Sequence, residues 1–406
     1  MKFNMEGELT PRTHPLKVFN IAKSQSRFVH ACAPMVRYSK LAFRQTVHHY
    51  GTDLCWTPMI LAKEFNRNQF ARDSDLTMST TRPEIPTIVQ FGANSPLEIS
   101  RASSLVAPFT NGVDLNCGCP QSWACASTLG AALMEQRDLV RDMLVMTRRR
   151  LQDDGWAVGM DKDVDDPKGR SVSVKIRVHK DMRKTVDFIT TVLGHEHNRN
   201  IDWLTIHPRT RYTPSTAPIN LEALELLTDM FGDKLPILVS GDVFTLSTLP
   251  YTSHFMNLQP TITSKDSLHL DEHSPDSNTY HATTDSSFRK PHLPKLAGLM
   301  SARALLANPA LFAGYETCPW EAVDLFMNNV ARAPLPLKLG IHHLTEMCGA
   351  GFGPDRSALL NKKERIRLTE FDTWIDTIDY LDDVKKQKRI NSVVRYHEHV
   401  QPKQPA

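Results

Sequence analysis

No apolar run in this 406-residue chain approaches the roughly 18 residues that a membrane-spanning helix needs. The N-terminal stretch MKFNMEGELTPRTHPLKVF has neither an apolar core nor a small-residue cleavage site, so no secretory signal is expected. A disulfide framework is missing too. The seven cysteines are odd in number and scattered, which points to a reducing setting, the cytosol or the nucleus. Charge of one sign is also scarce: the formal net charge of +3 does not by itself indicate a polyanionic partner. What is present, 41% apolar and 23% charged residues, excludes global disorder.

Short apolar runs that end in turn or polar residues recur along the chain. They lie at 28–35 (FVHACAPM), 54–59 (LCWTPM), 87–92 (TIVQFG), 112–118 (GVDLNCG), 172–178 (VSVKIRV), 203–208 (WLTIHP), 235–242 (LPILVSGD) and 296–302 (LAGLMSA). Most are continuous rather than alternating, as expected of parallel strands covered on both faces. Segments of helical period separate them, at 39–49, 96–106, 129–151, 182–193 and 221–231. Eight strands alternating with helices predict an α/β fold, a (β/α)8 TIM barrel; a doubly wound open sheet is the alternative, because periodicity cannot show closure.

Two stretches break the rhythm. Residues 153–170 are charged and glycine-containing, which predicts a surface loop before the fifth strand. Residues 250–295 are rich in Ser, Thr, His, Asp and Pro and carry too little apolar surface to offset their ordering entropy, which predicts a mostly disordered insertion, a tolerated one rather than a binding loop. Beyond about residue 315 strand signals disappear, and 335–350 and 359–384 have helical character. The expected division is a barrel over 1–316 and a small all-α domain with a basic and polar tail over 317–406.

In such barrels the active site lies at the C-terminal strand ends. Those ends carry Pro34 and Met35, Met59, Gln90, Asn116 and Cys119, Lys175 and Arg177, His207 and Arg209, Ser240-Gly241-Asp242, and Ala302-Arg303. The small residues of the last two ends suit backbone approach to a phosphate, with Arg303 adding charge-assisted bonds. Lys175, in the middle of an apolar strand, must face a polar cavity or form an ion pair with a barrel carboxylate. A free thiol such as Cys119 is mostly protonated near neutral pH and can act as a general acid. Cys117, Cys119 and Cys125 lack the paired spacing of zinc sites, so no metal is expected.

Together these segments resemble the tRNA-dihydrouridine synthases. The resemblance rests on APMVRYSK (33–40), PTIVQFGANSP, VDLNCGCPQSWACASTLGAALM, VSVKIRV, LTIHPRTR, LVSGDVF and GLMSARALLANPALF, in family order over about 18–315 apart from the two stretches that break the rhythm. The wording of APMVRYSKLAFR and GCPQSWA is most similar to the eukaryotic branch acting at positions 20a and 20b of the tRNA D-loop. Ser240 departs from the family, which usually has Asn there, and the C-terminal helical segment matches poorly.

The resemblance implies an FMN-dependent reductase that takes electrons from NADPH or NADH and acts on tRNA, with no membrane and no obligate protein partner. Pro34, Met35 and Val36 would line the flavin through their backbone, Gln90 would bond its ring edge, Lys175 would sit at the N1/O2 edge and His207 near the ribityl chain and flavin. Ser240, Gly241, Asp242, Ala302 and Arg303 would hold the phosphate. Asn116, Arg177 and Arg209 would bind the uracil, and Cys119 would protonate its C5 as hydride reaches C6. A flavin barrel acting on a small pyrimidine or alkene, or an RNA-binding paralogue without catalysis, are the competing expectations. In the helical segment Lys338, Lys362, Lys363, Arg365, Arg367, Lys385, Lys386, Lys388 and Arg389 offer phosphate contacts that the interspersed aspartates dilute.

Overall fold

The computed structural model describes residues 13–79, 85–195, 198–254 and 290–388. Its eight barrel strands are β1 (Val29–Cys32), β2 (Leu54–Trp56), β3 (Thr87–Gly92), β4 (Gly112–Cys117), β5 (Ser171–Ile176), β6 (Leu204–Ile206), β7 (Ile237–Ser240) and β8 (Gly298–Ser301). All neighbours pair in parallel, and two ladders close the sheet: β1 with β8, and β2 with β3. The open-sheet alternative is therefore excluded, and the fold is a closed barrel followed by a helical region.

Helices α1 (Pro15–Ser24), α2 (Leu41–His49), α3 (Pro96–Val106), α4 (Arg137–Asp153), α5 (Met182–Leu193) and α6 (Leu221–Phe231) belong to the barrel. Their starts follow from local chemistry. Ser95 caps α3 with Pro96 at its first position, and Asn220 accepts from the Ala223 N–H at 2.9 Å to cap α6. The outward strand residues Val113, Leu115 and Cys117 join the helices in the main core, while Val29, Ala31, Leu54, Trp56, Trp203 and Met300 fill the barrel. Phe19 of α1 reaches Trp203 with ring centroids 5.6 Å apart, so α1 closes the barrel's N-terminal end. Layers of inward side chains leave a packed interior, and polar groups collect at the other end.

The helical region has α7 (Trp320–Arg332), α8 (Leu337–Met347), α9 (Lys362–Leu368) and α10 (Trp374–Gln387). Helix α7 packs on α2, where Asn329 Nδ2 donates to Thr46 Oγ1 at 3.1 Å. Three expectations need correction. The continuous helical pattern of 129–151 resolves into a 3-10 turn, Gly130–Glu135, and then α4. The pattern of 359–384 divides into α9 and α10. The outer residues of the expected insertion are ordered: Thr252 N–H donates to Pro291 O and Leu293 N–H to Thr252 O, both at 2.9 Å. Tyr251 and Leu293 are buried. Residues 255–289 and 389–406, Arg389 among them, lie outside the described residues. Among the described residues no helix is long and apolar enough to cross a membrane.

Candidate active site

A cavity of about 270 Å³ opens at the C-terminal ends of the strands. It is lined by every candidate named from the sequence except Met35: Pro34, Val36, Gln90, Asn116, Cys119, Lys175, Arg177, His207, Arg209, Ser240, Gly241, Asp242, Ala302 and Arg303. The Met35 side chain packs against the core instead, and its backbone N–H donates to Ser39 Oγ at 3.0 Å.

The barrel register explains the convergence. Gln90 is paired with Asp114 across β3 and β4, and Asn116 with Lys175 across β4 and β5. With side chains alternating, Asp114 and Asn116 share the inner face of β4, as Ser173 and Lys175 do on β5. A directed hydrogen-bond chain follows. Gly118 and Cys119 donate their N–H groups to Asn116 Oδ1 at 3.0 and 2.9 Å, and Asn116 Nδ2 donates to Gln90 Oε1 at 2.7 Å. Gln90 Nε2 then donates to Asp114 Oδ2 at 2.7 Å, and Ser173 Oγ donates to Asp114 Oδ1 at 2.6 Å. Obligatory backbone donors at one end and a carboxylate at the other fix the orientation of both amides. Burial pushes the Asp114 carboxyl up to about 6 against the opposing pull of Ser173, Gln90 and Lys175. Asp114 was missed from the sequence, although a carboxylate inside the apolar run GVDLNC is the same signal that drew attention to Lys175.

Asp114 is thus consumed by neutral donors. The Lys175 ammonium has neither an ion pair nor a hydrogen bond among the described residues, and burial followed by repulsion from Arg177 lowers its pKa to about 8. The structural ion pair considered for it is not formed. Arg177 donates Nε to Gly118 O and Nη1 to Thr210 O, both at 2.8 Å, which ties β5 to the Cys119 loop. Cys119 is half-buried, and burial raises its thiol above the ordinary value, so the proton stays on at neutral pH. Gly130 holds this loop in place. It sits at φ +58°, and a Cβ there would lie 2.5 Å from Cys119 O.

At the opposite wall, Gly241 (φ +104°) and Asp242 (φ 54°) both take left-handed backbone. A Cβ at Gly241 would stand 2.9 Å from the His207 ring, so only glycine fits without displacement. The N–H groups of Gly241, Asp242 and Val243 donate to no atom of the described residues, which leaves a concave donor cradle beside Arg303. Arg209 is buried and fully engaged, donating Nε to Ala217 O at 2.7 Å, Nη1 to His207 Nε2 and Nη2 to Asp242. It is less free for a substrate than the sequence suggested. Burial, with the charges of Lys175, Arg177, Arg209 and Arg303, lowers the His207 pKa to about 2, so this imidazole is neutral.

Comparison with known proteins agrees with this arrangement. Residues 31–254 match the dihydrouridine synthase (Dus) family. The chain is 32% identical over 371 residues to the NAD(P)+ tRNA-dihydrouridine(20a/20b) synthase of Schizosaccharomyces pombe, covering 91% of each chain. It is 34% identical to the NAD(P)+ tRNA-dihydrouridine(20a/20b) synthase-like protein of Homo sapiens, covering 77% of this chain and 79% of that one. With the corresponding Saccharomyces cerevisiae enzyme the identity is 32%, over 94% of this chain and 87% of that one. The closed barrel, the strand-end cavity and these matches together make the chain a member of the dihydrouridine synthase family, an oxidoreductase.

Proposed function

We propose that this protein is an FMN-dependent tRNA-dihydrouridine synthase that reduces the C5=C6 bond of D-loop uridines at positions 20a and 20b, with NADPH or NADH as electron source. The observation that carries the reading is one cavity that joins a protonated thiol, an unpaired lysine and an open N–H cradle. The relatives' names support the tRNA substrate and a nicotinamide reductant.

The residues fit FMN. An anionic phosphate suits the unpaired N–H groups of Gly241, Asp242 and Val243, with Arg303 beside them and Ser240 and Ala302 completing the small-residue wall. Lys175 supplies the positive charge that the N1/O2 edge of a reduced flavin requires, and Gln90 presents a fixed amide to the ring. Neutral His207 can meet the ribityl chain without adding charge. Bound FMN would supply the hydride for uracil C6. Cys119 donates its thiol proton to C5, and the thiolate left behind is steadied by Arg177 and Lys175. Asn116 and Arg177, which line the cavity, would orient the base.

A uracil stacked in folded tRNA must be extruded to reach this cavity. On the helical region, Lys385, Lys386 and Lys388 are held by Asp324, Asp383 and Glu364, and Arg367 by Glu370. Lys338, Lys362 and Lys363 are exposed and make no ion pair among the described residues, so they are the cations proposed to meet RNA phosphate.

The test is to purify the protein, record its flavin spectrum and follow NADPH oxidation with and without unmodified tRNA, then map dihydrouridine in the product. The expected result is a yellow protein, tRNA-dependent oxidation and dihydrouridine at 20a and 20b. Bound flavin with no response to tRNA would favour a small pyrimidine or alkene substrate instead.

A further inference from the structure

The segment joining α8 to α9 crosses the phosphate side of the cavity. Its Phe352 ring stacks on Phe244 with centroids 5.3 Å apart and planes 7° from parallel. The Arg303 guanidinium lies 5.8 Å from the same ring centroid. Phe244 and Arg303 both line the cavity, and Phe352, which does not, contacts both. The next residue is pressed onto the chain that follows β7: a Cβ at Gly353 would lie 2.6 Å from Thr245 Cγ2 and 2.7 Å from Glu316 Oε2. Glu316 Oε1 accepts from Ser247 Oγ at 2.6 Å, and Arg356 Nη1 donates to Gly351 O at 2.8 Å, so both sides of this junction are fixed.

Arg303 needs such support. Its one hydrogen bond within the described residues is from Nη2 to Ser215 O, at 3.2 Å. A long, flexible side chain held so lightly loses rotamer freedom when it captures an anion, and an aromatic face that prepositions the guanidinium lowers that cost.

We propose that Phe352, contributed by the helical region, is a positioning residue for the cofactor's phosphate end: it holds Arg303 and the Phe244 wall, so that the helical region completes the phosphate subsite formed by the barrel. The proposal rests on the FMN reading above. It makes cofactor retention depend on a segment outside the barrel, and specifically on the phosphate.

The test compares the affinity of the apoprotein for FMN and for riboflavin, which lacks the phosphate, by flavin fluorescence. Phe352→Ala is expected to weaken FMN about fivefold and riboflavin less than twofold, the size of one lost cation–aromatic contact. Phe352→Tyr, which keeps the aromatic face, should bind FMN as the wild type does. In an Arg303→Ala background, Phe352→Ala should add less than twofold. Equal weakening of both flavins by Phe352→Ala, or a full fivefold loss in the Arg303→Ala background, would overturn the proposal. A wild-type protein that binds neither flavin would instead sink the FMN reading itself.

Discussion

Arg209 places Nη1 2.9 Å from Nε2 of His207. A guanidinium can only donate, so the imidazole accepts through Nε2 and carries its proton on Nδ1. The same guanidinium pairs with Asp242, one residue beyond the glycine whose missing Cβ admits the His207 ring. The Gly241 wall of the cavity is therefore fixed by one buried arginine that joins the ends of β6 and β7.

Buried neutral imidazoles set the acid stability of the fold. Burial lowers the pKa of His207 to about 2, of His343 to about 3 and of His30 to about 4. In the unfolded chain each binds a proton near the ordinary 6.5, which the folded chain does not. Their stabilisation is therefore full above 6.5 and declines as pH falls toward the folded values, each by about 1.4 kcal/mol per pH unit. Asp114, whose pKa is raised to about 6, binds its proton earlier when folded and offsets part of the loss below pH 6. Urea unfolding at pH 7.5 and 5.5 should show a fall of about 2–4 kcal/mol. An unchanged midpoint would contradict it.

His343 is the removable member of that set. It is buried among Phe43, Phe326 and Tyr38, and only the Tyr38 backbone opposes the lowering of its pKa by burial and by His342. His343→Phe should raise stability at pH 5.5 by about 1–2 kcal/mol and flatten the pH dependence, as read by the same titration. Equal stability changes at both pH values would show that the imidazole does not titrate on unfolding.

Lys175 trades stability for binding. It is desolvated without a partner among the described residues, so Lys175→Met should stabilise the apoprotein by about 1 kcal/mol while weakening FMN at least tenfold. Differential scanning of the apoprotein, with flavin titration, checks both signs. A destabilised apoprotein would mean that the ammonium has an ion-pair role after all.

Gly130→Ala tests the loop that carries the thiol. Its positive φ alone costs a residue with a Cβ about 1–2 kcal/mol, and the contact with Cys119 O forces the loop to shift. Turnover should fall at least tenfold with FMN affinity unchanged, because misplacing a reacting group slows chemistry more than binding. A parallel loss of flavin would place the damage elsewhere.

The barrel was legible because each strand is a short apolar run ending in a polar residue. Segment 96–106 even begins with its own Ser-Pro start signal. The helix boundaries at 129–151 were not, since the apolar period runs unbroken through the 3-10 turn before Gln136. Helix α7, Trp320–Arg332, lies outside both helical segments read from the sequence, although its buried Trp320, Val323, Phe326 and Val330 follow the helical period. The strand-end residues could be read one at a time, but the chain from Cys119 through Asn116 and Gln90 to Asp114 depends on the register between strands, which no single segment encodes. The same holds for Phe352 over Arg303, residues about 50 positions apart in sequence that only the docking of the helical region brings together.

The most direct measurement is dihydrouridine formation on an unmodified tRNA transcript by wild type and Cys119→Ala at matched flavin content. Loss of a positioned general acid should lower the rate at least about 100-fold while the flavin spectrum and nicotinamide oxidation by the free enzyme persist. Turnover by Cys119→Ala within threefold of wild type would contradict the assignment of the proton donor, and with it the proposed chemistry of the cavity.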